Sequence, residues 1–448
     1  MATLRWTGNA IATKQVTTIT ISGTWAQNDT ATLTINGKDL VITIGTLVTT
    51  TQVATTIKEA FNGTTLTDTS ASASPTIAQG GGAFIPEFNE ITATSSAAVI
   101  TLTADSTVGK PFTVTVSEST ASTDGVVGTP STTTAATGPH HFDNGDNWDT
   151  GNAPVDADDI WFDSGSVDCL YALSQSAITP TSINVTMNYT GKIGLPEYNS
   201  DTSGFTYREY REKYLNLGVS TDATNVAVNI GSGDGQGSGR IKLSLGDSQC
   251  TVNVSGTGQT AEQGVPTFLF KGTHASNELN VTKGIVGVAF YADDTATLAT
   301  LRIGYQENQA GDSSVRCGAG TTLSSATISQ SGGSLVTRSN VSAANVDGGT
   351  LSHESGTMGT LTVSNAVIYY KSNGTCTTGV FRQGGVLDCR RDMRARTFTN
   401  LTFYAASSLF DPSGTITATN GFDLSGASVE DLRAFIIPKH KTITLSAI

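Results

Sequence analysis

Two groups of carboxylates are candidates for polysaccharide-cleaving chemistry. Asp388 and Asp392 flank Arg390 and Arg391, and Asp293 adjoins Asp294. Glycosidic cleavage uses a pair of carboxyl groups, one as acid and one as base or nucleophile. Charge pairing on an exposed face explains either group equally well. A second set of donors lies at 139–165, where His140 and His141 stand near Asp143, Asp146, Asp156, Asp158 and Asp159. A zinc or calcium site can be drawn from imidazole and hard oxygen ligands, but this spacing matches no metal motif. Exposed turn polarity is the expectation, and no metal or cofactor is assigned. The glycine run from Gly231 to Gly239 lacks the Gly-Lys-Ser/Thr ending of a phosphate cradle. It precedes a strand (RIKLSL) rather than a helix N-terminus, so it reads as a flexible turn. Nucleophile-elbow and kinase signatures are missing too. The chain is therefore expected to be non-enzymatic, with no catalytic residues.

Residue types suited to recognition are concentrated in two places. Between Glu197 and Leu217 stand Tyr198, Phe205, Tyr207, Tyr210 and Tyr214, interleaved with Arg208, Arg211, Glu209 and Glu212. Tyr and Arg are enriched at interface centres, so 197–217 is expected to be an extruded loop or short helix serving as a contact surface. The alternative is a side flap over the first coils. The second place is Arg390, Arg391, Arg394 and Arg396, a basic cluster in an acidic chain. It is suited to an acidic partner or a neighbouring subunit, or is a solvated face neutralised by Asp388 and Asp392.

These residues must be positioned by a strand-rich frame. Only 14% of the 448 residues are charged, and Thr, Ser and Gly take their place. β-Branched residues alternate with polar ones through most of the chain, the pattern of sheets with one buried face. The net charge of −13 argues against nucleic acid or an anionic membrane as the main partner. No run of 18 apolar residues suggests a membrane span. The N-terminus, MATLRWTGNAIATKQ, has no apolar core and does not read as a secretory signal. Five scattered cysteines without a C-x-x-C pair read as buried free thiols, as suits folding in a reducing compartment.

The clearest organising signal is a phrase repeated between Gly318 and Arg391: Gly332-Gly333-Ser-Leu335, Gly348-Gly349-Thr-Leu351, Asn365-Ala366-Val-Ile368 and Gly384-Gly385-Val-Leu387. Each unit is strand, tight turn, strand, then a polar run. Units this short bury a face only by stacking on their neighbours, which predicts consecutive coils of a parallel β-solenoid over 139–448. At roughly 18–20 residues per coil this predicts about 14 coils and a rod of about 65–70 Å. Residues 1–120 read as a separate module, β-sandwich-like, with strands at 16–44 and 89–118. One amphipathic helix runs from Thr49 to Phe61, with Gly63 as its C-cap. The nearly uncharged stretch 121–138 reads as a linker or an exposed edge, and KTITLSAI as a strand closing the far end.

Two stretches carry a resemblance. TITISGTW, ATLTING, TTTQVATTIKEAFNG, ITLTA and FTVTVSE together resemble small β-rich modules of phage and phage-like virion proteins. DNWDTGNAPVDADDIWFDSG is similar to the lead-in that precedes β-helices in surface and virion proteins. The resemblance covers about a third of the chain and transfers no catalytic residue. It implies a structural part of a tailed-phage particle, made in host cytoplasm: a capsid decoration protein, head fibre or tail-associated spike. Its partners would be other virion proteins and further copies of itself, a trimer being one arrangement, with a host-surface glycan as a further partner. A bacterial surface adhesin or S-layer-like protein, and a polysaccharide-degrading tailspike, are the competing classes.

Overall fold

A computed structural model of the chain describes residues 2–75, 85–120, 123–201, 203–218, 225–304 and 312–425, with the backbone of 435–436. Among these residues the chain is mainly β, and two long parallel sheets run side by side through its larger part. This is the arrangement of a β-solenoid. The first sheet takes Asp159–Phe162, Ser182–Thr186, Val226–Ser232 and so on to Ile416–Ala418. The second takes Ser174–Gln175, Leu215–Leu217, Ile241–Ser244 and so on to Phe435–Ile436. Among the described residues the second sheet has 12 strands, one per coil, so at ~4.8 Å per coil the described rod is about 58 Å long. That is shorter than the sequence predicts, because the coils are not uniform. Equivalent side chains are 16 or 17 residues apart in the repeat, but 22, 24 and 27 apart in earlier coils.

Strand alternation fills the interior. In the second sheet Phe268, Val286, Val315, Leu335, Leu351, Ile368, Leu387 and Leu409 lie in register on successive coils. All are essentially buried, and each such side chain contributes roughly 1.5–3 kcal/mol. The repeated phrase marks the corner that precedes this row. Gly333, Gly349, Asn365 and Gly384 have φ of 67°, 77°, 47° and 71°, the left-handed region open to glycine and tolerated by asparagine. A Cβ on Gly349 would stand 2.2 Å from the Gly333 carbonyl oxygen, so close stacking requires glycine there as well.

A short strand is added before the first coil. Thr3–Arg5 pairs in parallel with Asp159–Trp161. Trp6 then packs edge-on against Trp148 at 5.2 Å, and Trp148 lies 5.9 Å from Phe162. The Trp148 indole donates to the Phe142 carbonyl at 2.9 Å. An open strand edge would invite pairing with another chain, and this strand with its aromatic cluster covers it.

After that strand the chain leaves the solenoid, builds the module, and returns at the bridge between Thr13 and Thr137. Two antiparallel sheets and the helix Thr50–Phe61 share one core containing Ile19, Leu33, Ile42, Ile57, Phe61 and Leu102. Thr49 caps the helix, accepting from the Gln52 amide while Gln52 reaches back. One boundary differs from the expectation. Thr3–Arg5 pairs with the solenoid rather than with a module of 1–120. Within 121–138, Val126–Val127 and Ser131–Thr134 pair with Val16–Ser22, so of the two alternatives for this stretch its described residues take the sheet edge. Its threonines suit a strand exposed to water on one face. The expected closing strand KTITLSAI lies outside the described residues. All five cysteines are free and buried, and burial pushes Cys250, Cys317, Cys376 and Cys389 up to about 12.

Candidate functional site

The Tyr/Arg stretch forms a β-hairpin, Tyr198–Ser200 paired antiparallel with Thr206–Arg208, which leaves the solenoid and meets the N-terminal module. Tyr207 is its hub. Its hydroxyl donates to Glu90 Oε1 at 2.8 Å and accepts from Lys110 Nζ at 2.8 Å and from Arg211 Nη2 at 3.0 Å. Lys110 and Glu90 are themselves ion-paired. Arg211 forks onto Glu209 at 2.7 and 2.8 Å, and its guanidinium lies 4.7 Å from the Tyr210 ring centroid and 5.4 Å from that of Tyr171. The Tyr210 hydroxyl donates to the Pro111 carbonyl at 3.0 Å, and Asn89 donates to Asp201 at 3.1 Å. His141, from the lead-in, bonds the Gly109 carbonyl through Nε2 at 2.7 Å.

Two cations and two carboxylates therefore balance one another across the joint. Burial works to raise the Glu209 pKa, but the Arg211 fork overcomes it and keeps the pKa below the usual value. Burial also works against the Arg211 charge, and its bonds to Glu209 push its pKa up instead. Desolvation is the largest cause of the lowered Lys110 pKa and of the raised Tyr207 pKa. Charge-assisted bonds of this kind favour one geometry, although Arg211 Nη1 is buried without a hydrogen-bond partner. The arrangement is a clasp.

The clasp closes in part of 197–217 and leaves part of it open. Tyr207 is 5% exposed and Tyr214 only 1%, and Arg211 is closed in with them. Tyr214 faces away from the module; its hydroxyl donates to Asp294 at 2.5 Å, with Lys271 Nζ 4.3 Å from its ring centroid. Tyr198 and Phe205 remain exposed, and Arg208 pairs with Glu197 at 3.1 Å. Between hairpin and module lies a cleft of about 610 Å³, lined by Lys38, Glu87, Tyr207, Arg208 and Tyr210 among others.

The arginine group does not act as a unit. Arg396 is buried, donating to the carbonyls of Tyr370, Asp392 and Arg394 and to the Thr415 hydroxyl. It pins the loop before its own strand. Arg390 and Arg394 are exposed and fork onto Asp388 and Asp392, and Arg391 is exposed as well.

The carboxylate candidates are similarly engaged. Asp388 and Asp392 sit in those forks, and hydrogen bonds from Arg390 and Arg394 hold both below their ordinary values. Asp294 accepts from Tyr214 and from the Tyr291 amide, whereas Asp293 is exposed, 3.8 Å from Arg208. Desolvation lowers the Lys242 pKa to about 8 against the pull of Glu262. Its side chain is wholly buried, its Nζ 3.1 Å from the Tyr291 hydroxyl, so it meets no solvent-borne substrate. Among the described residues no group of three or more His, Cys, Asp or Glu is arranged to hold a metal.

One polar array escaped the sequence reading. Asn184, Asn229, Asn253 and Asn280 stand in register on the first sheet. Their amides hydrogen-bond in series at 3.0, 3.2 and 3.0 Å, and Arg302 ends the ladder on Asn280. The signal was present in the triplets Ile-Asn-Val, Val-Asn-Ile, Val-Asn-Val and Leu-Asn-Val. Comparison of the chain with protein-family models, with curated proteins and with solved structures finds no match.

Proposed function

We propose that the protein is a non-enzymatic structural component of a tailed-phage virion, exposed on the particle as a capsid decoration, head fibre or tail-associated spike. The observation that carries the reading is the clasp: charged and aromatic residues that could have formed a site instead lock the N-terminal part onto the rod. A rigid joint is what a part that attaches at one end and projects at the other requires. On this reading the N-terminal part is a β-sandwich-like attachment module, and the solenoid projects or packs laterally against further copies. The forks on Asp388 and Asp392 favour this reading over a polysaccharide-degrading spike.

The test is direct. An antibody against the solenoid should decorate tailed particles from a lysate of the host that carries the gene, and mass spectrometry of gradient-purified particles should recover the chain. Particles that contain none of it sink the proposal. Excising residues 14–136, which leaves the capping strand Thr3–Arg5 in place, should abolish particle attachment while the rod still folds. Retained attachment would move that role to the solenoid.

A further inference from the structure

The late coils carry a strip of cations along one side of the second sheet. Arg316 projects outward from Ser313–Cys317, Arg338 follows Ser334–Thr337, and Lys371 follows Ala366–Tyr370. The ladder runs one residue past these strands. Glu354 N donates to the Thr337 carbonyl and Lys371 N to the His353 carbonyl, both at 2.8 Å, so Arg338, Glu354 and Lys371 stack on successive coils. Glu354 bridges the other two, 2.8 Å from Arg338 and 3.6 Å from Lys371. Arg390 and Arg391 come next, and Arg394 reaches back to the Glu354 carbonyl at 3.5 Å, which ties the late end of the strip to its middle.

Six cations here face three carboxylates, Glu354, Asp388 and Asp392. Neither Arg316 nor Arg391 has a carboxylate within 4.0 Å among the described residues; Arg316 donates only to the Gly264 carbonyl at 3.2 Å, and Arg391 lies 6.0 Å from the Tyr369 ring centroid. A groove of about 290 Å³ opens between Arg316 and Arg338, with Phe290 and Val336 in its wall. The rest of the chain is strongly acidic: residues 312–425 hold eight Lys and Arg against seven Asp and Glu, while the whole chain has a net charge of −13.

We propose that this strip binds an acidic polysaccharide, a linear chain with a carboxylate on every first or second sugar. Successive cations stand one or two coils apart, roughly 5–10 Å along the rod, a spacing that such a chain can match. Arginine forks take carboxylates two-pronged, and the rings of Phe290 and Tyr369 offer flat apolar faces to sugar rings. The three interleaved carboxylates and the acidic remainder of the molecule select against a polyphosphate backbone, whose charge is dense and continuous. The proposal deepens the particle-surface reading by naming a partner class. Because its test uses the purified chain, a negative result leaves the particle-labelling test untouched.

The experiment is fluorescence anisotropy with the full-length protein and labelled hyaluronate and polygalacturonate oligomers. A chitin oligomer serves as the uncharged control and oligothymidylate as the phosphate control. Binding of either acidic sugar, salt-sensitive and without chitin binding, is expected. The double variant Arg316→Ala/Arg391→Ala removes the two cations that hold no ion pair, so the thermal midpoint should stay constant while affinity falls at least about tenfold. Arg302→Ala, on the other sheet, should leave binding unchanged. Absence of binding to both acidic sugars at low salt overturns the proposal, as does an unaltered double variant or tighter binding of oligothymidylate. Sedimentation that shows wild-type self-association lost in the double variant would assign the strip to a second copy instead.

Discussion

The clasp and the cationic strip are made of the same residues, arginine and lysine beside tyrosine, phenylalanine and a few carboxylates, yet they are put to opposite uses. In the clasp Arg211, Lys110, Glu90 and Glu209 are withdrawn from water and paired with one another around Tyr207. In the strip Arg338, Arg390 and Arg394 keep about half of their side-chain surface exposed. A buried charge must have its partner, and removing that partner is costly; an exposed one is screened and contributes little to folding. Composition alone does not separate the two. Burial does, and it assigns the clasp to architecture and leaves the strip free to meet something else.

The largest effect should come from Arg211→Ala. It strands the Glu209 carboxylate inside the joint and removes a donor from Tyr207, a loss of about 3–5 kcal/mol by analogy with broken buried pairs. Denaturant unfolding should show it as a separate early transition of the module, with proteolysis at the hairpin. A single transition shifted by under ~1 kcal/mol would mean the clasp is no more than a surface contact, and the contrast with the strip would fail.

Acid should weaken the folded chain next. Burial lowers the pKa of His141, at the junction, and of His353, inside the solenoid, below the ordinary 6.5. The unfolded chain therefore binds protons first as pH falls. Stability is fully present above about pH 6.5 and is lost through the range down to the folded-state values, by at most ~1.4 kcal/mol per pH unit for each histidine. Denaturation midpoints at pH 7.5 and 5.0 measure the difference. His353→Gln should reduce that difference, and an identical pH profile in the variant would exclude this histidine. Tyr210→Phe is smaller still. It deletes the bond to the Pro111 carbonyl at the module edge, for about 1 kcal/mol, read as a modest shift of the same early transition.

Much of the rod was legible in the sequence because its causes are local. A glycine or asparagine at each corner and an apolar residue two or three positions later recur on the four coils of the repeat, and Leu335, Leu351, Ile368 and Leu387 do fall in one row. The joint was not legible for the opposite reason. Tyr207 meets Lys110 and Glu90 across 97 and 117 residues, and no periodicity links a hairpin tip to a different domain. The tyrosines therefore read as a surface, when their partners were another part of the same chain. The capping role of Thr3–Arg5 was hidden similarly, since its partner strand begins at Asp159. The asparagine ladder was visible as a recurring triplet, but uneven coil lengths, 45 residues across the coil that carries the hairpin, broke its period.

The smallest expected change gives the comparison its sharpest form. Arg338→Ala breaks an exposed pair with Glu354, which retains Lys371 as a neighbour, so stability should move by no more than ~1 kcal/mol and less at high salt. The same substitution takes a cation from the wall of the groove beside Arg316, and affinity for an acidic sugar should fall even though folding does not. Arg211→Ala should do the reverse, loosening the module and leaving sugar affinity intact, because the strip lies on later coils than the hairpin. If Arg338→Ala instead destabilised the rod as much as Arg211→Ala does the joint, the strip would be a second clasp, and exposure would have ceased to be the variable that tells the two regions apart.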